Sequence, residues 1–184
     1  LADIFSIYTA LYDWKLAKNY NNEDIDLEIY EQAYDLLTET IHFVKSNSYI
    51  NIVNSVEQIY YIVGKAGFIT NIYGNGRPES GSEHILSKEI ESKINIHHGI
   101  SVSISIIIMS LIQNNISKDV YDCILKIGIL KDIKKYNITR KFLFNLLKNL
   151  SARIDRFSIV DIYNRDDNFI NSILDKYEKI ISEV

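Results

Sequence analysis

A single proline and seven glycines in 184 residues leave little to interrupt a helix. A multi-strand fold needs turn signals at intervals of roughly 8–12 residues, and this chain has too few to supply them. Its apolar residues recur instead at helical spacing. Ile4, Phe5, Tyr8, Leu11, Tyr12 and Leu16 share one stripe, which predicts a helix over 2–18. Asp24 or Asp26 can cap a second over 27–46, and a third is expected over 49–73, where Gly64 and Gly67 suggest close packing or an irregular turn. The Gly- and Pro-bearing run Gly74-Asn-Gly-Arg-Pro-Glu-Ser-Gly must be a loop. Helices are then expected over 82–92, 98–113, 118–126, 139–149 and 166–183. The expected fold is an all-α helical bundle forming one domain over residues 1–184.

Composition narrows the function classes. The chain is 47% hydrophobic and 24% charged, the balance of a globular protein with a core. A net charge of −4 argues against a general nucleic-acid binder, which would carry a basic stripe. The longest apolar stretch, 100–112, is too short and too rich in serine to span a bilayer, so no membrane partner is expected. Leu1-Ala-Asp-Ile-Phe has no basic n-region and no initiator Met. It reads as a point inside a longer protein rather than a signal peptide. One cysteine, Cys123, rules out an intrachain disulfide framework, and a reducing, cytoplasmic setting is the simplest expectation.

Asp3, His84 and His98 are the residues with the most chemistry to offer. A divalent metal takes imidazole nitrogen and carboxylate oxygen, and a catalytic site keeps one coordination position open. Three such side chains from three helices can converge inside a bundle. By spacing alone, histidines with separate structural roles fit equally well. His42 reads as a packing or surface residue, and His97 points about 100° away from His98 on a helix. Trp14, Tyr30, Tyr34, Tyr60 and Tyr61 read as core and edge aromatics, Cys123 as a buried small residue, and Lys131 to Lys135 as a solvated basic loop.

Four blocks carry a resemblance. Ala2-Asp-Ile-Phe-Ser-Ile-Tyr-Thr-Ala-Leu-Tyr-Asp-Trp-Lys-Leu is similar to a Gly-Asp-Leu-x-x-Lys-Tyr-Thr-Ala-Leu-x-Asp-Trp run. Arg77-Pro-Glu-Ser-Gly-Ser-Glu-His resembles Arg-Pro-x-Ser-Gly-x-Glu-His, and His98-Gly with Val102 and Ile104 resembles His-Gly-Glu-x-Val-x-Ile-Gly. Arg153-Ile-Asp-Arg-Phe-Ser-Ile-Val is similar to Arg-x-x-Arg-Tyr-Thr-Ile-Leu. In this order the blocks resemble the sn-glycerol-1-phosphate dehydrogenase family, within the dehydroquinate synthase-like and iron-containing alcohol dehydrogenase superfamily. The resemblance implies the helical C-terminal domain of a two-domain dehydrogenase, with NAD or NADP held by an N-terminal Rossmann-like domain absent from this chain. It implies Asp3, His84 and His98 as ligands of Zn²⁺ (or Fe²⁺) and reduction of dihydroxyacetone phosphate. On that reading Arg77 either meets the substrate phosphate or makes a structural salt bridge, and Glu83 either orients His84 or caps its helix.

The pattern also has departures. Lys88 stands where the family often has a second His, Ile100 where Glu is expected, Ser105 where Gly is expected, and Ala2 where Gly precedes the Asp. They keep open a non-catalytic helical module, or a related metal-dependent alcohol or polyol dehydrogenase. The expected partners are a small phosphorylated substrate and, through surface left by a lost domain, a second copy of the chain in a homo-oligomer. The chain alone is expected to be inactive.

Overall fold

The computed structural model describes residues 1–182, and among them every regular element is a helix. In chain order these are α1 (Ala2–Phe5), α2 (Ile7–Asn21), α3 (Leu27–Ser46), α4 (Tyr49–Asn54), α5 (Val56–Tyr73), α6 (Ser82–Lys93), α7 (His98–Ile112), α8 (Lys118–Lys126), α9 (Arg140–Asn149) and α10 (Asp167–Ile181). Short 3-10 turns cover Ile129–Tyr136 and Ile159–Asp161. Among the described residues, the only bridge outside helices joins Arg153 to Arg156 across a tight turn. The all-α expectation therefore stands. No helix is long and apolar enough to cross a membrane among the described residues.

The helix starts follow side-chain chemistry. Asp26 accepts from the Ile29 N–H (3.1 Å) and Thr139 from the Phe142 N–H (3.2 Å), each satisfying a first-turn donor that has no partner within its own helix. Gly74, at φ +86°, closes α5 with its N–H on the Thr70 carbonyl, a left-handed cap that costs glycine nothing.

Helix α7 is the centre of the bundle. Every residue from Ile100 to Ile112 is buried, and α6, α1, α10 and the 129–136 turn pack around it. Two of its buried serines bond locally, Ser103 donating to the Gly99 carbonyl at 2.7 Å and Ser110 to the Ile107 carbonyl at 2.9 Å, while the Ser105 hydroxyl has no partner among the described residues. Trp14 is fully buried between Tyr73 and Tyr30, with its ring N–H on the Asp24 carbonyl at 3.0 Å.

Several expectations need correction. The 2–18 helix runs on to Asn21, with a one-residue irregularity at Ser6, whose backbone stays helical and whose hydroxyl reaches the Asp3 and Glu79 carbonyls (2.6 Å each), tying it to the 74–81 loop. The 49–73 helix divides at Ser55, where ψ is +52°. Gly64 and Gly67 mark neither close packing nor an irregular turn. Both lie in regular helix, and a Cβ added at either would meet nothing within 4 Å. Tyr30 packs on Trp14, but Tyr34, Tyr60 and Tyr61 are exposed rather than core. The 131–135 segment is 3-10 helix, not open loop. Residue 183, at the end of the expected last helix, lies outside the described residues.

Candidate metal centre

Asp3 on α1, His84 on the first turn of α6 and His98 at the start of α7 meet at one corner of the bundle. One ligand atom from each lies within 4.8 Å of the other two. Asp3 Oδ1 is 3.6 Å from His84 Nε2 and 3.1 Å from His98 Nε2. A tetrahedral centre with bonds of about 2.0–2.1 Å holds its ligand atoms roughly 3.3 Å apart. The two Asp3–His separations bracket that figure, and the third pair lies within 4.8 Å, so the donor set and spacing suit a metal such as Zn²⁺ or Fe²⁺.

The two rings are held from behind in the same way. His84 Nδ1 is 2.7 Å from Glu83 Oε1, and His98 Nδ1 is 2.8 Å from Glu91 Oε1. Each Nε2 is thereby left to face Asp3. Glu83 is itself fully buried, taking the Thr9 hydroxyl on Oε2 (2.7 Å) and the Gly81 N–H on Oε1 (2.6 Å). Beside it, buried Asp13 accepts from Ser82 N–H (2.6 Å) and Ile159 N–H (2.9 Å). Two carboxylates are tolerated there because they meet the positive N-terminal end of α6 and its unpaired N–H groups. Gly81 is required at this point. A Cβ would come within 2.6 Å of Asp13 Oδ2 and 2.8 Å of the Ala10 Cα.

The electrostatics follow from this packing. Burial works against a charged His84, but hydrogen bonds to Asp3 and Glu83 outweigh it and raise the ring to about 9. The hydrogen bond with His84 in turn holds the Asp3 carboxyl below its usual value, against the opposing effect of burial. Burial, reinforced by the neighbouring Glu83 charge, lifts Asp13 to about 6.

Asp3 and His84 open on a pocket of about 260 Å³ walled by Leu1, Ile4, Val63, Ala66, Gly67, Glu79 and Ser80. Its walls contain no lysine or arginine among the described residues. Arg77 lies elsewhere. Its buried guanidinium clasps Glu23 through Nε (2.8 Å) and Nη2 (2.9 Å) and donates to the Phe157 carbonyl at 3.0 Å. Of the two readings open for Arg77, the geometry is that of the structural salt bridge. His97 caps α7 edge-on to Tyr136 and His42 is exposed, so neither joins the cluster. Asp13 and Glu91 are the residues that sequence reasoning passed over. Glu91 could have been found by its position two turns after His84 on the same helix face.

Two imidazoles and a carboxylate from three helices, beside a small pocket, form a candidate metal-holding cluster. Over most of its length the chain is similar to glycerol-1-phosphate dehydrogenases, NAD(P)+ type, of archaea. That from Methanosarcina mazei is 27% identical over 164 residues, 86% of this chain and 45% of that protein. The one from Methanococcus aeolicus is 28% identical over 174 residues, 87% of this chain and 51% of that protein. A shorter match, 37% identical over 94 residues, links 49% of the chain to the protein of Natronomonas pharaonis. The chain thus spans about half the length of the relatives it matches, and the match falls on their C-terminal portion. No family model matches it.

Proposed function

We propose that this chain is the metal-holding helical domain of an NAD(P)-dependent dehydrogenase that reduces dihydroxyacetone phosphate to sn-glycerol 1-phosphate. The observation that carries the reading is the convergence of Asp3, His84 and His98, with both Nε2 atoms turned to one carboxylate oxygen. A Zn²⁺ or Fe²⁺ bound there supplies Lewis-acid polarisation of the substrate oxygen.

The chain's own residues do the rest of the local work. Asp3 contributes one negative charge, while Glu83 and Glu91 hold the Nδ1 edges so that the Nε2 edges face inward. Val63 and Ala66 give the pocket an apolar wall. Hydride exchange needs a nicotinamide, and the described residues contain no strand on which a Gly-rich nucleotide-binding turn could be built. A Rossmann-like half supplies it, and the exposed apolar side of α5 next to the pocket supports docking of such a half. The relatives' names, which carry NAD(P)+, and their doubled length support the same division of labour.

The absence of lysine and arginine from the pocket walls favours a second reading, an unphosphorylated alcohol or polyol as substrate. The test uses the full-length gene product, compared with a His84→Ala, His98→Ala double variant. Expected are one equivalent of metal and oxidation of NAD(P)H by dihydroxyacetone phosphate, both lost in the variant. Metal with turnover of unphosphorylated polyols alone selects the second reading. No metal in either protein overturns both.

A further inference from the structure

We propose that Glu91 is the positioning residue of His98: it sets which ring nitrogen is free and where it points. The inference rests on the metal reading of the site and goes beyond it.

His98 is held more loosely than His84, whose side chain is only 15% exposed. It is the first residue of α7, its side chain is 48% exposed, and the preceding His97 makes no capping bond that would restrain the turn. An imidazole in that setting normally samples several rotamers and both neutral tautomers. Here one carboxylate removes that freedom. Glu91 Oε1 sits 2.8 Å from His98 Nδ1, while Nε2 lies 3.1 Å from Asp3 Oδ1. With a metal between Nε2 and Asp3, an acceptor on Nδ1–H would leave the Nε2 lone pair for that metal and increase its basicity.

Glu91 is itself pinned. The Ser101 hydroxyl, one turn into α7, donates to the same Oε1, so the carboxylate bridges two residues of α7. The backbone puts it there. Glu91 lies seven residues after His84, nearly in line on the helix and about 10 Å further along. The short 94–97 connection then brings the start of α7 back beside that turn of α6. Glu83 does for His84 what Glu91 does for His98, so one helix holds both rings. Ile100, the residue that replaces the carboxylate of the resembled pattern, is buried in the core. The carboxylate at His98 comes instead from the neighbouring helix.

Glu91 can be tested cleanly because its side chain is 30% exposed, whereas Glu83 is wholly buried and tied to Thr9 and Gly81. Co²⁺ is titrated into the wild-type protein and into Glu91→Ala, Glu91→Gln, His98→Ala and the control Glu89→Gln, a half-buried carboxylate on the same helix. Affinity and the visible cobalt absorption are read together. Glu91→Ala is expected to weaken Co²⁺ about 10–100-fold and to change the cobalt band, the usual cost of losing a group behind a metal-bound histidine. Glu91→Gln, which keeps an oxygen to accept Nδ1–H, should recover part of the loss, and Glu89→Gln should match wild type. The metal-free thermal midpoint of Glu91→Ala should stay within about 2–4 °C of wild type. Wild-type affinity and spectrum in Glu91→Ala, with Co²⁺ binding lost in His98→Ala, overturn this inference and leave the metal site standing. Absence of Co²⁺ binding by the wild-type protein overturns the metal reading and this inference with it.

Discussion

Helix α7 keeps every residue from Ile100 to Ile112 out of solvent, whereas α5, comparably rich in apolar residues, buries only Ile62, Ala66 and Ile69. Tyr60 is 80% and Phe68 62% exposed, and Tyr61, Val63 and Ile72 stand out beside them. The difference lies in neighbours. Helix α7 is wrapped by α6, α1, α10 and α2, while α5 rests on α3 and, more lightly, on α1. Apolar composition sets a helix's demand for cover but not what meets it. Val63, Ala66 and Gly67 bring this uncovered side to the rim of the pocket beside Asp3 and His84.

The sharpest way to break the comparison is to truncate one side chain in each helix. Ile106→Ala, in the fully packed centre of α7, should cost about 2–5 kcal/mol. Phe68→Ser should stay within about 0.5 kcal/mol and reduce any self-association. Urea denaturation and light scattering read the two effects, and equal costs would abolish the distinction.

The site-bearing side also carries groups that titrate. His84, raised to about 9 from 6.5, binds its proton more tightly in the folded state. Its contribution is fully present below pH 6.5 and is lost as the pH rises through 9. Asp13, raised to about 6 from 3.8, acts in the same direction over the window below it. Metal-free stability should therefore fall from about pH 4 to 9, by up to about 3 kcal/mol for each group. Thermal melts in chelator at pH 6, 7.5 and 9 check this, and a midpoint that holds or rises across that range contradicts it. The lowered Asp3 has the opposite sign, and its contribution disappears only as the pH falls below 3.8.

Glycine substitutions give the smallest effects and the finest contrast. Gly81→Ala must push against the Ala10 backbone and Asp13, and should cost about 1–3 kcal/mol. Gly64→Ala and Gly67→Ala, in open helical positions, should each stabilise the chain by roughly 0.5–1 kcal/mol. Differential scanning calorimetry separates the two signs. Destabilisation at Gly64 or Gly67 would mean that α5 is covered in solution.

Much of this architecture was legible in the sequence. The helices over 27–46 and 118–126 end where periodicity and caps put them, and the aligned blocks brought Asp3, His84 and His98 to one point. The break at Ser55 was hidden because serine is tolerated inside helices, and the bond from the Ser6 hydroxyl to the distant Glu79 carbonyl has no local signal. The two roles left open for Arg77 could not be separated in the sequence because its partner, Glu23, comes from a distant segment just past α2. Periodicity could place Tyr60 and Phe68 on a helix. It could not show which faces of that helix have a neighbour.

Helix α6 carries His84 and both carboxylates that lock the rings. Its orientation about its own axis is therefore a setting of the whole centre. That orientation is held by Leu86 and Ile90, buried on its inner side against the rest of the bundle. A substitution there that rolls the helix by a few degrees would misalign both imidazoles at once, without touching a single ligand. The core of this corner works as the mounting of an instrument, and its tolerances are those of the chemistry it holds.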